Sequence, residues 1–394
     1  MENELGYYTV NGIIYPNKIQ AILEAQRTLA DVEWYFHDDD FKKSEWTVEP
    51  EVSLDEMYRL RAQQIRDKYD YVIVMCSGGA DSTNIVRSFL NNNIHIDEII
   101  AGAPMSGLKN WNWNDKDVSV ENTISETKYA LFPLLEEVAQ SHPNVKITVN
   151  DYFDDIANFK TDEWIYDCQD WVNPAVSSRA RLDKFKYLVD LADAGKRIAV
   201  VWGQDKPILR YGKNGDIYSV ISDLGVNNAH PPFKTEYPNV DRVLFYWAPD
   251  CPELLIKQSH VVAKYILKKE NRWISDIMRK LMDPAYWPTQ ENNFRSELDL
   301  KGDYQRGIVP AIYPTTYGNV FQCQKPIRSF MSEHHHWLQI LHKDARICQL
   351  LESDFKLFFK SINHKYLKKG GIGFNSYTKW YRLGHYTEFM EPVQ

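Results

Sequence analysis

Five consecutive apolar or aromatic positions, Tyr71 to Met75, run into Cys76, Ser77, Gly78 and Gly79. Beyond them Ile85, Val86, Phe89 and Leu90 fall on one face at helical spacing. A short continuous apolar run is the mark of a strand buried on both faces, so the pattern predicts a parallel strand, a tight loop and a helix. Gly78 and Gly79 permit positive φ and close backbone approach, letting successive N–H groups face an anion at the start of the helix. This stretch predicts a polyphosphate site.

The same alternation recurs along the chain. Asn11-Gly12 between two β-rich runs predicts a two-residue hairpin over residues 7–15. A helix is expected over residues 17–30, with Ile19, Ile22, Leu23 and Leu29 on its apolar face. Asp38, Asp39 and Asp40 are adjacent, and a solvated turn is preferred to a metal site for them. Ser53 caps a predicted helix, with Glu56 completing a capping box. Strands are predicted over residues 98–101, 145–149 and 198–202, and helices over 123–141 and from Ser177 or Ser178 to Ala194, stopped by Gly195. Strands alternating with helices predict an α/β fold, with a doubly wound, mainly parallel sheet in three layers. Pro249 and Pro252 mark a change of character near residue 240. The expected organisation is an N-terminal hairpin and helical extension (1–67), an α/β domain (68–240) and a mostly helical C-terminal domain (241–394), with helices over 326–342 and 344–362.

Composition refines this picture. At 394 residues the chain exceeds one ordinary core, and 44% hydrophobic with 25% charged residues is a globular composition. A formal charge of −8 argues against a generally nucleic-acid-coated surface. No apolar run reaches the roughly 20 residues of a membrane span, and the amino-terminal MENELGYY lacks a signal-peptide pattern, so a cytoplasmic location without membrane association is expected. Cys76, Cys168, Cys251, Cys323 and Cys348 are dispersed and read as reduced, mainly buried thiols.

Residues 77–83, SGGADST, between a predicted strand and helix, resemble the S-G-G-x-D-S/T loop of the PP-loop ATP pyrophosphatases, whose fold is adenine nucleotide alpha hydrolase-like. That superfamily includes asparagine and GMP synthetases, tRNA-modifying enzymes and phosphoadenylyl-sulfate reductases. The Walker signature is absent, which disfavours an ordinary kinase or motor NTPase. The resemblance implies ATP and Mg²⁺ as cofactors. Backbone N–H groups from Gly78 and Gly79 to Asp81, with the hydroxyls of Ser77 and Ser82, would hold the β,γ-phosphates, and Gly102 and Ala103 would lie under the adenosine. Gly203, Asp205, Lys206 and Arg210 follow the strand at 198–202 and gather at a ligand-binding sheet edge. Asp81 and Asp205 are the candidate metal ligands, while Lys206 and Arg210 would neutralise the α-phosphate and departing pyrophosphate. The implied activity is adenylylation of an acceptor with release of pyrophosphate, then ligation or substitution.

The chain departs from several branches. The first cysteine is Cys76, against an amino-terminal glutaminase nucleophile, and Cys348 lacks the setting of the reductase cysteine. An AMP-forming ligase is therefore expected ahead of a reductase-like oxidoreductase or an inactive nucleotide-binding or virion interaction protein. The lead-in RAQQIRDKYD at 61–70 resembles PP-loop proteins of large tailed phages, which would place the protein in a host cytoplasm. Three further features have two readings each. Trp111 and Trp113 have a base-stacking reading and a preferred one as apolar cover. The adjacent His334, His335 and His336 cannot share one helical face, which disfavours a metal site. The tail over 356–385 interleaves Lys and Arg with aromatics, offering a nucleic-acid partner, although a solvated helix end with a packed tail is preferred. The acceptor is unidentified, and a homo-oligomer is left open.

Overall fold

The computed structural model describes residues 6–15, 18–103, 105, 127–151, 182–203, 206–212, 214–223, 233, 236–271, 308–313 and 376–390. Its centre is β4 (Tyr71–Met75), whose Val72, Ile73 and Val74 have no exposed surface. Burial on both faces is why this run contains no polar alternation. Around it stand β5 (Glu98–Gly102), β6 (Lys146–Asn150), β7 (Ile198–Trp202) and β10 (Val240–Leu244), in the order β10-β7-β4-β5-β6. All four pairings are parallel. Taken in chain order, the strands lie 3-2-1-4-5, so the winding direction reverses between β4 and β7.

The two faces are covered by different helices. Val72, Val74, Ile99, Ala101 and Val201 share a core with Met57 and Ile65 of α3 (Leu54–Lys68), Ile85 and Phe89 of α4 (Ala80–Leu90), and Leu134 and Val138 of α5 (Phe132–Ser141). Ile73, Ile100, Ile198 and Val200 pack with Leu188 and Ala192 of α6 (Lys186–Asp193). The chain is thus α/β, with a five-stranded parallel sheet between helical layers. Each fully buried Val, Leu or Ile adds about 1.5–3 kcal/mol of transfer free energy to this sandwich.

Two antiparallel sheets flank it. The first joins β1 (Tyr7–Val10), β2 (Ile13–Tyr15) and β3 (Glu33–Tyr35) in the order β2-β1-β3. Asn11 and Gly12 both have positive φ at the expected hairpin turn. The helix α1 (Lys18–Thr28) follows, and it corrects the expected apolar face at one point: Leu29 lies beyond the helix, left-handed at φ 57 and 80% exposed. The second sheet joins the hairpin β8 (Ile208–Tyr211) and β9 (Asp216–Val220) to β11 (Tyr381–His385), so the tail returns to the α/β unit. Turn signals for this hairpin, Asn214 and Gly215 at φ 91, stand in the sequence between ILRY and DIYSV.

Residue 240, where the prolines suggested a boundary, is the first residue of the last parallel strand. The helix α7 (Pro252–Leu267) then buries Leu254, Leu255, Val262 and Ile266 in the same core as α3 and α4. Two local expectations change. Ser53 Oγ accepts from Glu56 N at 3.3 Å, but the Glu56 carboxylate binds Arg59 instead of closing the capping box. The three aspartates form the short helix α2 (Asp38–Phe41), and Asp38 is buried rather than solvated, accepting from Tyr381 Oη at 2.7 Å. Among the described residues no helix is long and apolar enough to cross a membrane.

Candidate functional site at the carboxyl edge of the sheet

In an open parallel sheet, ligands bind outside the strands' carboxyl ends where the winding reverses, here between β4 and β7. The β4 end delivers the glycine loop to that point. Gly78 has φ +79, and a Cβ there would meet Leu131 N at 2.4 Å, so geometry and space both require glycine. Gly79 is the extended N-cap of α4. The hydroxyls brace the loop: Ser77 Oγ accepts from Gly79 N at 3.2 Å, Ser82 Oγ accepts from Ser77 N at 3.3 Å, and Thr83 Oγ1 donates to Gly78 O at 3.2 Å. Ser77 is exposed and Ser82 buried, so only the first presents its hydroxyl to solvent. The first-turn N–H groups of a helix have no acceptor within the helix, which leaves the α4 terminus electropositive.

The β7 end supplies the facing wall. Gly203 is the point of closest approach, since an added Cβ would stand 3.2 Å from both Asp81 Cβ and Ile85 Cδ1. Lys206, buried, reaches back to Asp81 with Nζ 2.8 Å from Oδ2. Gly102 is exposed at the end of β5, while Ala103 is buried and donates its N–H to Asn150 O at 3.0 Å. Arg210 lies on β8 with its guanidinium 4.8 Å over the Tyr377 ring, so its described contacts are with the tail sheet. Asp205 lies outside the described residues, as do Trp111, Trp113, the three histidines and Cys168, Cys323 and Cys348.

Sequence reading missed the groups behind Asp81. Tyr313, which ends the short helix α8 (Val309–Ile312), donates its hydroxyl to Asp81 Oδ1 at 2.6 Å. Tyr246, just past β10, donates to Asp81 O at 2.7 Å and accepts from Asn84 Nδ2 at 3.1 Å. Tyr58 of α3 donates to Ile312 O at 2.5 Å, anchoring the segment that carries Tyr313. Burial, then the charge of Asp81, pushes both the Tyr246 and Tyr313 hydroxyls well above their ordinary range, so they stay protonated donors. Asp81 is therefore fixed at one oxygen by a phenol and paired at the other with an ammonium. The aromatic residues themselves carried no signal, because nothing near them in sequence resembles a loop motif.

In the described tail, residues 376–390, Tyr381 is buried against Trp46 and Arg382 pairs with Asp216, while Trp380 is 51% exposed. Residues 381–385 form β11 and pack against the rest of the chain, while the helix end expected ahead of them lies outside the described residues. Among the described residues no group of three or more His, Cys, Asp or Glu is arranged to hold a metal. The fold and this edge define an α/β protein with a glycine-rich, cation-bearing carboxyl edge at the winding reversal. Comparisons with protein-family models, curated proteins and solved structures found no match.

Proposed function

We propose that the chain is an ATP pyrophosphatase-type enzyme of the PP-loop kind, with an adenine nucleotide alpha hydrolase-like domain and a C-terminal part, mostly helical, that selects the acceptor. The observation that carries this reading is the contact of Lys206 with Asp81 across the winding reversal, between the glycine loop and the end of β7. It sets a cation and a carboxylate at the mouth of an anion-binding loop. The β,γ-phosphates of ATP lie against the α4 terminus and the Ser77 hydroxyl. Lys206 turns from Asp81 to the phosphates and stabilises charge developing on the α-phosphate and departing pyrophosphate. The acceptor oxygen or nitrogen attacks the α-phosphorus, the α,β-bridging bond breaks, and pyrophosphate leaves; a second nucleophile then displaces AMP.

Asp81 fits Mg²⁺ as a single carboxylate ligand, because that ion keeps several waters and arrives on substrate phosphates rather than in an all-protein cage. It would offer Oδ2 once Lys206 has turned away, with Oδ1 held by Tyr313. When bound, the ion supplies charge neutralisation on the phosphates.

The reductase alternative gains no support from the described thiols. Cys76 is buried, and burial pushes the Cys251 thiol up, opposite to what a redox nucleophile needs. The deciding experiment incubates the full chain with Mg·ATP and candidate acceptor fractions and resolves the nucleotide products. AMP with pyrophosphate is expected, abolished by Asp81→Ala. Release of ADP and phosphate sinks the α-phosphorus mechanism, and inertness with every fraction favours a nucleotide-binding protein without turnover.

A further inference from the structure

Among the described residues of the carboxyl edge, Asn150 is a buried polar side chain without a partner. Asn150, the last residue of β6, is 1% exposed, and neither its Nδ2 nor its Oδ1 makes a hydrogen bond. An amide left unpaired inside a protein is destabilising by about 1–3 kcal/mol per group, so such a side chain calls for an explanation. Two strands away, beside the exposed Gly102, stands the glycine loop.

The register fixes that relation. Asn150 pairs with Gly102, and Met75 pairs with Ile100. Ser77, two residues beyond Met75, starts the loop at about the level of Gly102, so Ser77, Gly102 and Asn150 form a row across the sheet edge. Residues directly opposite in adjacent strands share a face, which puts the Asn150 side chain on the side where Gly102 has none. Adjacent strands are about 4.8 Å apart, so Asn150 lies about 10 Å across from the loop. That is the reach from a phosphate to the base of the same nucleotide, with the missing Gly102 side chain leaving room between.

We infer that Asn150 reads the base of the bound nucleotide, donating from Nδ2 to a ring nitrogen and accepting at Oδ1 from an adjacent exocyclic amine. An amide side chain matches a purine edge that sets an acceptor beside a donor, as adenine does with N7 and its 6-amino group. The residue determines specificity rather than taking part in bond breaking, and the inference rests on the nucleotide reading above.

The test titrates the full-length wild type, Asn150→Ala and Asn150→Leu by calorimetry with Mg·ATP, the Mg complex of purine riboside triphosphate, which lacks the 6-amino group, and inorganic tripolyphosphate. Both variants are expected to bind ATP about tenfold more weakly, the scale of a bidentate base contact. Purine riboside triphosphate, which keeps only the ring-nitrogen contact, should bind the wild type more weakly than ATP and lose less than ATP on either substitution. Tripolyphosphate should bind all three proteins alike, and Asn150→Leu should melt no lower than the wild type, because it removes a polar group that has no partner. If the wild type binds ATP and tripolyphosphate but the variants lose neither, the inference falls and the nucleotide reading survives. Parallel loss of tripolyphosphate, or a large fall in melting temperature for both variants, makes Asn150 structural and overturns the inference. A wild type that binds none of the ligands overturns the nucleotide reading and the inference with it.

Discussion

The two ends of the parallel sheet treat charge in opposite ways. At the amino edge the described acidic side chains each hold several partners. Glu98, fully buried at the start of β5, accepts from Tyr71 Oη at 3.0 Å, Tyr187 Oη at 2.6 Å and the Thr148 hydroxyl, with Lys146 Nζ at 3.4 Å. Asp97 takes Arg66 at 2.5 Å and Val72 N at 2.7 Å, and Asp70 holds the Arg197 backbone N–H at 2.9 Å. At the carboxyl edge β5 ends in Gly102, Gly203 follows β7, the Asn150 side chain has no partner, and Lys206 pairs with Asp81. A fixed partner set makes the first edge structural. The second carries the groups that the proposed nucleotide site would use, the unpartnered Asn150 amide and the Lys206–Asp81 pair. In the RAQQIRDKYD lead-in Arg66 and Asp70 secure the starts of β5 and β7, while Arg61 donates to Leu244 O at 2.8 Å at the carboxyl end of β10.

Substitutions that separate binding from stability test this contrast. Gly78→Ala should have the largest effect, since a left-handed alanine is strained by about 1–2 kcal/mol before its Cβ meets the Leu131 backbone. Loss of the thermal shift produced by Mg·ATP is the expected outcome; retention of that shift would show that the loop accepts another conformation. Glu98→Ala should destabilise by about 2–4 kcal/mol, because Tyr71, Tyr187 and Thr148 lose their shared acceptor. Denaturant unfolding measures that loss, and the nucleotide affinity of the folded variant should be unchanged. An affinity loss of comparable size would merge the two edges into one functional unit.

Lys206→Ala should reverse the balance, weakening ATP by at least about tenfold, or about 1.4 kcal/mol, with a smaller loss of stability. Equal losses in both measurements would make Lys206 a structural partner of Asp81. Tyr313→Phe should lower affinity by about 1 kcal/mol, the value of one hydrogen bond, and raise the Mg²⁺ concentration needed for binding. An unchanged Mg²⁺ dependence would free Asp81 from Tyr313 control.

The smallest effect lies at the amino edge and depends on pH. Hydrogen bonds from the Arg197 side chain, then from its backbone, hold the Asp70 carboxyl below its ordinary 3.8. The unfolded chain takes up that proton first, so the stabilisation is present above 3.8 and declines as pH falls through the lowered folded value. Asp70→Asn should flatten this part of the acid limb, seen in unfolding midpoints at about pH 5 and about pH 3. An identical acid limb would assign the loss to other carboxylates.

How much was legible differs between elements for physical reasons. The strand, loop and helix from Tyr71 to Leu90 were readable because burial, chain reversal and helical periodicity are local in sequence. The hairpin at Asn11-Gly12 was readable for the same reason, since a two-residue turn with two positive φ angles selects its residues. Leu29 was misplaced because periodicity does not say where a helix stops, and the left-handed turn there carries no glycine. The capping box failed on one competitor: Arg59 offers the Glu56 carboxylate a charged partner.

By itself the sequence determined the parallel core, the glycine loop and the basic and acidic residues at the ends of its strands. Those features depend on contacts within a few turns of chain. Only the tertiary structure decided what surrounds Asp81, since Tyr246 and Tyr313 reach it across 165 and 232 positions. It also decided that β10 completes the sheet and that β11 closes on β9. Pairings at such separation follow from which buried donors and acceptors must satisfy one another once the core has formed. No local pattern encodes that choice.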